Sequence, residues 1–446
     1  PAEGPVPLGG KYSEPLLAVD RVRFVGEPVA IVLTDGTYQG EDAAELVSVD
    51  YEPLPPVTTI DEALAGDSLL FPDSGTNLCT AGGRDISDDS IFDGCEVVVE
   101  GDVTNQRVAA LPMEGQATAA VFRDGKLTVW TSTQNAQLSR LILTAVGLPP
   151  DAIRVVAPDV GGGFGAKIGV RRETIVVVWA AKHTGRPVRW VETRNENLMA
   201  MTQGRAQRHH IKIGGNRDGK INAYRLDVIQ DTGAYPVMSG FLPMLTNLMG
   251  PGVYDIPHVQ ADYKVVVTNT APIAAYRGAG RPEAAATIER AVDWFAAEAG
   301  VDPAEVRRKN FIKPDQFPFV TKAGAPYDTG EYEAALEKVL GAADYTSLRA
   351  DQQRRREAGD TKQLGLGLAS YVEITAADGG AGETAKVEVH DDGTATIYTG
   401  SSAHGQGHHT AFAMILAGEL GIPMEKIEVI HGDTDLIPDG VGTYAS

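Results

Sequence analysis

The chain carries 446 residues, with 60 acidic against 39 basic side chains and a formal net charge of −21. That balance excludes a broad footprint for nucleic acid or anionic membranes, so any anion site has to be a local exception. Its two cysteines cannot furnish the four thiolates of an iron–sulfur cluster, and no run of about 18 apolar residues is present to span a membrane.

The length predicts about two to four domains. Residues 15–60 read as a small α/β unit, with strand patterns at 22–24, 28–33 and 47–51 around a helix at 38–46. Residues 61–95 are polar and rich in Gly and Asp, the composition of a linker. From 96 to 330 the pattern is that of an α+β domain. Strands are expected at 96–103, 116–123, 126–131, 153–156, 187–192, 209–213, 221–230 and 263–267, and helices at 135–146, 172–183, 284–299 and 303–309. The last unit, 331–446, opens with helices at 332–340 and 348–358. It continues with strands at 365–372, 385–390, 394–398 and 427–430 and a helix that ends at Leu420. The fold class is α+β, with mixed and largely antiparallel sheets. Residues 1–11 do not form a signal peptide, and the chain starts without Met and stops just after a Gly-rich loop. Both ends are therefore expected to lie inside a longer, cytoplasmic protein.

Four short stretches carry side chains suited to chemistry. Thr-Ser-Thr-Gln-Asn at 131–135 joins a strand to a helix, with Ser132 or Thr133 as the expected N-cap. Gln134 within it is a neutral donor that can reach an oxo group without adding charge. Gly161-Gly162-Gly163-Phe164-Gly165, followed by Lys167, places a glycine cluster between a strand and a helix, where backbone N–H groups can cradle phosphate. Its spacing matches neither a Walker loop nor a Rossmann loop, and an ordinary tight turn is the competing reading. Ala-Tyr-Arg-Gly-Ala-Gly-Arg-Pro-Glu at 275–283 brings Arg277 and Arg281 to a helix start, against the alternative of two solvated arginines. His404, His408 and His409 surround Gly405-Gln406-Gly407. No carboxylate or thiolate follows at zinc-ligand spacing, so a loop that binds cofactor phosphates is favoured over a metal site.

Together and in this order, the four stretches resemble the molybdenum-binding subunit of the xanthine oxidase family, of the carbon monoxide dehydrogenase and aldehyde oxidoreductase type. Residues 15–60, with Phe-Val-Gly-Glu-Pro-Val at 24–29 and Val-Asp-Tyr-Glu-Pro-Leu at 49–54, are similar to the back part of that family's α/β hammerhead domain. The resemblance implies a partial hammerhead at 1–60, a linker at 61–95, a first molybdopterin-binding domain at 96–330 and the start of a second at 331–446. It implies a molybdopterin cofactor with molybdenum, in the cytosine dinucleotide form, between the two large domains. Iron–sulfur and FAD centres would sit on partner subunits of a heterotrimer that itself dimerises.

What the resemblance implies for single residues is specific. Gln134 would hydrogen-bond a terminal oxygen on molybdenum, and Arg277 would face the metal site. Gly162, Gly163, Phe164, Gly165, Tyr276, Gly278, Arg281, Gln406 and Gly407 would line the cofactor. Gly-Thr-Tyr-Ala-Ser at 442–446 would begin a further cofactor loop, with Ala445 beside molybdenum and Ser446 also lining the cofactor. The expected reaction is hydroxylation of an aldehyde or an aromatic N-heterocycle carbon with water as oxygen source.

Two departures restrict the substrate. Gly278 stands where carbon monoxide dehydrogenases carry the copper-ligand Cys, so no copper is expected. Ile168 stands where xanthine oxidases place a substrate-binding Glu. The family's general-base Glu would fall beyond Ser446. Two other readings stay open: a non-catalytic cofactor-binding or assembly subunit, and a nucleotide-dependent enzyme using the 161–165 loop.

Overall fold

A computed structural model of the chain describes residues 10–83, 86–375 and 382–444. Helices α1 (Thr37–Glu45) and α2 (Ile60–Ala65) come first. The second is held by a capping box between Thr59 and Glu62 and stopped by left-handed Gly66. Strands β1 (Leu78–Gly83), β2 (Val97–Asn105) and the short β3 (Val108–Ala109) follow, then β4 (Ala117–Arg123) and β5 (Lys126–Thr131). Helix α3 (Ala136–Leu143), β6 (Ile153–Val156), α4 (Arg172–Thr184), β7 (Val188–Val191) and α5 (Arg194–Ala200) complete a four-stranded layer, β6-β5-β4-β7. Leu127 and Val129 on alternate positions of β5 are fully buried against Val177 and Val178 of α4, the two-residue period meeting a helical stripe.

The larger layer is the five-stranded sheet β1-β11-β10-β9-β2. It is built after the short β8 (Gln203–Gly204) from β9 (Gln207–Gly215), β10 (Ile221–Asp231) and β11 (His258–Val266), with α6 (Leu242–Leu248) between the last two. The β10–β11 pair is parallel and its other ladders are antiparallel. Helix α7 (Arg281–Ala299) lies across this sheet and buries Ile288, Val292 and Phe295 against Ile211, Leu226 and Val228. Helix α8 (Pro303–Asn310) then begins with the Asp302 cap and Pro303 expected from the sequence.

The last part contains the small ladder of β12 (Phe319–Val320) with β13 (Pro326–Tyr327), then α9 (Tyr332–Ala342) and α10 (Tyr345–Ala358). A three-stranded sheet of β14 (Ala385–Val389), β15 (Ala395–Thr399) and β16 (Ile427–His431) packs on α11 (His408–Leu420). It is stitched to the first layer beside β6. Ala157 donates to Gly432 O at 2.7 Å, Thr434 to Val155 O at 3.0 Å, and Arg154 Nε to Asp433 Oδ1 at 3.0 Å.

The α+β class with mixed, mostly antiparallel ladders is as expected, and three local expectations are corrected. The patterns at 22–24, 28–33 and 47–51 form no strands: among the described residues no ladder partner lies alongside, and Ile31, Val32, Leu33, Val47 and Val49 stay exposed. Residues 365–372 form no strand either. Their backbone is spent on side chains: Leu368 O accepts from Arg307 at 2.8 Å and Ser370 N–H donates to Glu289 at 2.8 Å. The polar stretch before residue 96 contributes edge strand β1 rather than only a surface connection. The expected elements do not include helices α5 and α6.

His209 sits at the β9–α7 seam, fully buried, with Nδ1 2.7 Å from Thr287 Oγ1 and Nε2 2.8 Å from Gln207 Oε1. Burial holds its pKa down at about 3 against an ordinary 6.5. Below pH 6.5 the unfolded chain takes up a proton that the folded chain refuses, so this group removes stability as pH falls from 6.5 toward 3, at up to ~1.4 kcal/mol per pH unit. Denaturant midpoints at pH 6.5 and 4.5 are expected to show that slope and to show it flattened in His209→Gln. An unchanged slope contradicts the assignment.

Candidate cofactor site

Gln134 is the point on which three chain segments converge. Asn135, rather than Ser132 or Thr133, caps α3 by accepting the Leu138 N–H at 2.7 Å, which fixes the turn and leaves Gln134 just outside the helix. The Gln134 Oε1 accepts N–H bonds from Gly165 at 2.8 Å and Lys167 at 3.2 Å, and its Nε2 donates to Thr443 O at 3.0 Å. Among the described residues Nε2 makes this one bond, so its second hydrogen is left for another acceptor. Gly163 must lack a side chain because a Cβ would stand 2.5 Å from Gln134 Oε1. The orientation of this amide therefore follows from its neighbours.

The 161–167 loop turns on backbone that side chains resist. Phe164 has φ +55° and Gly165 φ +98°. Lys167 is 1% exposed and donates to Glu114 O at 2.9 Å and Oε2 at 2.8 Å. Burial pushes its ammonium pKa down while Glu114 pulls it back up. With its charge turned onto Glu114, Lys167 is not the phosphate-binding lysine of a nucleotide loop, which removes support for that reading.

The 275–281 loop leans on the first. Arg277 N–H donates to Phe164 O at 2.8 Å, and its guanidinium lies 4.7 Å from the centre of the Phe164 ring. Arg277 is exposed and makes no ion pair among the described residues, whereas its neighbours are committed. Arg281 donates to Gly278 O at 3.0 Å and Ile374 O at 3.1 Å, which spends its charge on the loop and on the segment before residue 376. Gly278 has φ +95° and Gly280 φ +90°. A Cβ on Gly278 would collide with the Pro282 ring.

Sequence reasoning missed Arg205. It donates to Tyr276 O at 2.9 Å and Arg277 O at 2.6 Å, stacks 4.7 Å from the Tyr276 ring, and pairs with buried Glu283 at 3.3 Å. Burial raises the Glu283 pKa and Arg205 lowers it. Nothing local marks this residue, which lies 72 positions before the carbonyl it holds.

The histidine loop closes the group. Thr443 Oγ1 donates to Ser402 O at 2.7 Å and its N–H to Gln134 O at 2.9 Å, so residues 402 and 443 both reach the Gln134 turn. His404 is buried and held neutral, its pKa brought to about 4 by burial. Gln406 folds back to accept the His404 N–H at 2.5 Å. Gly405 and Gly407 take φ of +103° and +79°, and a Cβ on either would meet nothing within 4 Å. The start of α11, which no side chain caps among the described residues, lies beside that open space. Ala445 and Ser446 lie outside the described residues.

The segments thus offer open space beside a helix N-terminus, an amide with a spare N–H, and an arginine without an ion pair among the described residues. That donor set fits a phosphorylated pterin carrying an oxo-metal centre. Residues 71–311 and 338–446 match the molybdopterin cofactor-binding domain, and residues 5–55 match the aldehyde oxidase and xanthine dehydrogenase a/b hammerhead domain. The chain belongs to the molybdenum-binding large subunits of the xanthine oxidase family.

Among its relatives, the carbon monoxide dehydrogenase large chain of Hydrogenophaga pseudoflava is 36% identical over 97% of this chain and 58% of its own length. The nicotine 6-hydroxylase large subunit of Paenarthrobacter nicotinovorans is 34% identical over 97% of this chain and 55% of its own. The crystal structure of quinoline 2-oxidoreductase from Pseudomonas putida 86 superposes with a TM-score of 0.90 at 33% identity, over 97% of this chain and 57% of that one. The chain spans about half the length of the relatives it matches. No helix among the described residues is long and apolar enough to cross a membrane.

Proposed function

We propose that this chain holds the molybdopterin of a hydroxylase that oxidises an aldehyde or an aromatic N-heterocycle carbon, with water as oxygen source. The observation that carries the reading is the Gln134 amide, fixed by Gly165, Lys167 and Thr443 with one N–H to spare beside the Phe164–Arg277 stack. A bound molybdenum centre supplies the two-electron oxidation of the substrate carbon. Gln134 offers its free N–H to an oxygen of that group, and Arg277 places a fixed positive charge over the Phe164 face. Gly162, Gly163 and Gly165 keep backbone close, while Tyr276, Gly278 and Arg281 shape the second loop. Gly405, Gln406 and Gly407 present the start of α11 to the phosphate of a cofactor in the cytosine dinucleotide form. Electrons leave through iron–sulfur and FAD subunits of a cytoplasmic complex. The names of the nicotine- and quinoline-acting relatives support a ring substrate.

Turnover of an N-heterocycle or aldehyde by the intact complex in oxygen-18 water is expected to place the label in the product. Unlabelled product formed by a molybdenum-loaded complex would overturn the reading.

Gly278 argues against carbon monoxide as substrate. The position lacks a thiolate, and its positive φ together with the Pro282 ring leaves no room for one. The complex is expected to contain no copper, and Gly278→Cys is expected to lower molybdenum content rather than to gain copper. Stoichiometric copper in either protein, measured by elemental analysis, contradicts this.

A further inference from the structure

We infer that Asp159, His409 and His431 form a binding site for one divalent cation of the zinc, cobalt or nickel class. The three residues come from separate segments: the approach to the 161–165 loop, the first turn of α11 and the end of β16. Each offers one ligand atom, and these atoms all lie within 4.8 Å of one another.

The two imidazoles are turned toward a shared point. Their Nε2 atoms are 2.8 Å apart, and the rings are tilted by 57° rather than stacked. The Nδ1 of His431 is buried without a partner among the described residues, so Nε2 is the atom it presents outward. A tetrahedral ion with metal–nitrogen bonds of about 2.0–2.1 Å needs the two nitrogens roughly 3.3 Å apart. The exposed His409 ring reaches that spacing with a shift of about half an ångström. Two imidazoles with one carboxylate select a borderline cation over magnesium or calcium, which take all-oxygen sets. Three protein ligands leave a fourth position for water or an anionic oxygen.

The site ties the strand end ahead of Gly161 to the helix start behind Gly407, so an ion there would brace the two glycine loops against each other. The competing arrangement is a direct His409–His431 hydrogen bond that no ion replaces.

The inference does not depend on the hydroxylase reading, and its test is separate from molybdenum content. The intact complex, dialysed against chelator, is titrated with Co2+ alone and followed by visible d–d absorption. One equivalent per chain is expected to bind, with the band lost in His409→Ala and in His431→Ala and the affinity of Asp159→Asn reduced by about tenfold or more. His409 is exposed, so His409→Ala is expected to keep the metal-free melting temperature while losing the rise that Zn2+ gives the parent. Absence of the band in the parent, or stoichiometric Co2+ binding retained by the double histidine variant, overturns the site. Cobalt binding in a complex without molybdenum would leave this site standing and sink the hydroxylase reading.

Discussion

Replacing Gly165 by Ala is expected to strip the complex of most of its molybdenum and pterin. The residue has φ +98°, and a Cβ there would stand 2.6 Å from Ala275 O and 2.9 Å from Ala275 C, both backbone atoms that cannot swing aside. The left-handed backbone costs a non-glycine residue about 1 kcal/mol or more, and the overlap adds on the order of 1–3 kcal/mol. Relief requires the 161–167 loop to move away from the 275–281 loop. That movement breaks the Gly165 N–H bond to Gln134 and the Arg277 bond to Phe164 together, so the damage falls on the cradle itself. Gly185→Ala is the matched control, because it has φ +67° with nothing within 4 Å of its Cβ. It is expected to lose about 1 kcal/mol of stability and to retain its cofactor. Equal cofactor loading in Gly165→Ala and the parent would contradict the description of the site.

Arg307→Leu is expected to give the largest loss of stability, on the order of 3–5 kcal/mol. Arg307 is fully buried. It pairs with Glu289 and Asp293 at 2.8 Å each and donates to Leu368 O at 2.8 Å. Glu289 also accepts from Tyr254 and from the Ser370 N–H, so one guanidinium links α7, α8 and the 364–372 segment. Burial already raises the Glu289 pKa and Arg307 holds it down. Without Arg307 the folded-state pKa climbs further above its unfolded value. Such a carboxyl contributes stability at low pH and loses it as pH rises through the folded pKa. The deficit of Arg307→Leu is therefore expected to be larger at pH 7 than at pH 5, and adding Glu289→Gln is expected to recover part of it. Urea midpoints for the three proteins check this, and a loss below about 1 kcal/mol at pH 7 contradicts it.

Much of the fold is legible in the sequence where the signal is local. The alternation at 126–131 and the apolar run at 153–156 give β5 and β6 with the same bounds, and the Asp302–Pro303 pair marks the start of α8. What fails is any element whose fate depends on a distant partner. Ile31 to Leu33 has the composition of a strand but finds no ladder among the described residues, and 365–372 gives the Leu368 carbonyl to Arg307 and the Ser370 N–H to Glu289 instead. The same division runs through the site. Gln134, Phe164 and Arg277 sit in recognisable motifs. Arg205 acts through contacts 72 and 78 positions away, and no window of sequence shows it; Glu283 and Thr443 lie in motif stretches, but their partners Arg205 and Gln134 are 78 and 309 positions distant. Arg281 illustrates a subtler limit: its charge at a helix start suggests an anion, and the folded loop gives that charge two carbonyls.

The most direct measurement is elemental and cofactor analysis of the intact complex that contains this chain. One molybdenum per chain is expected, with an extractable pterin that releases cytidine monophosphate on hydrolysis, and no copper. A folded, active complex free of molybdenum and pterin would contradict the account.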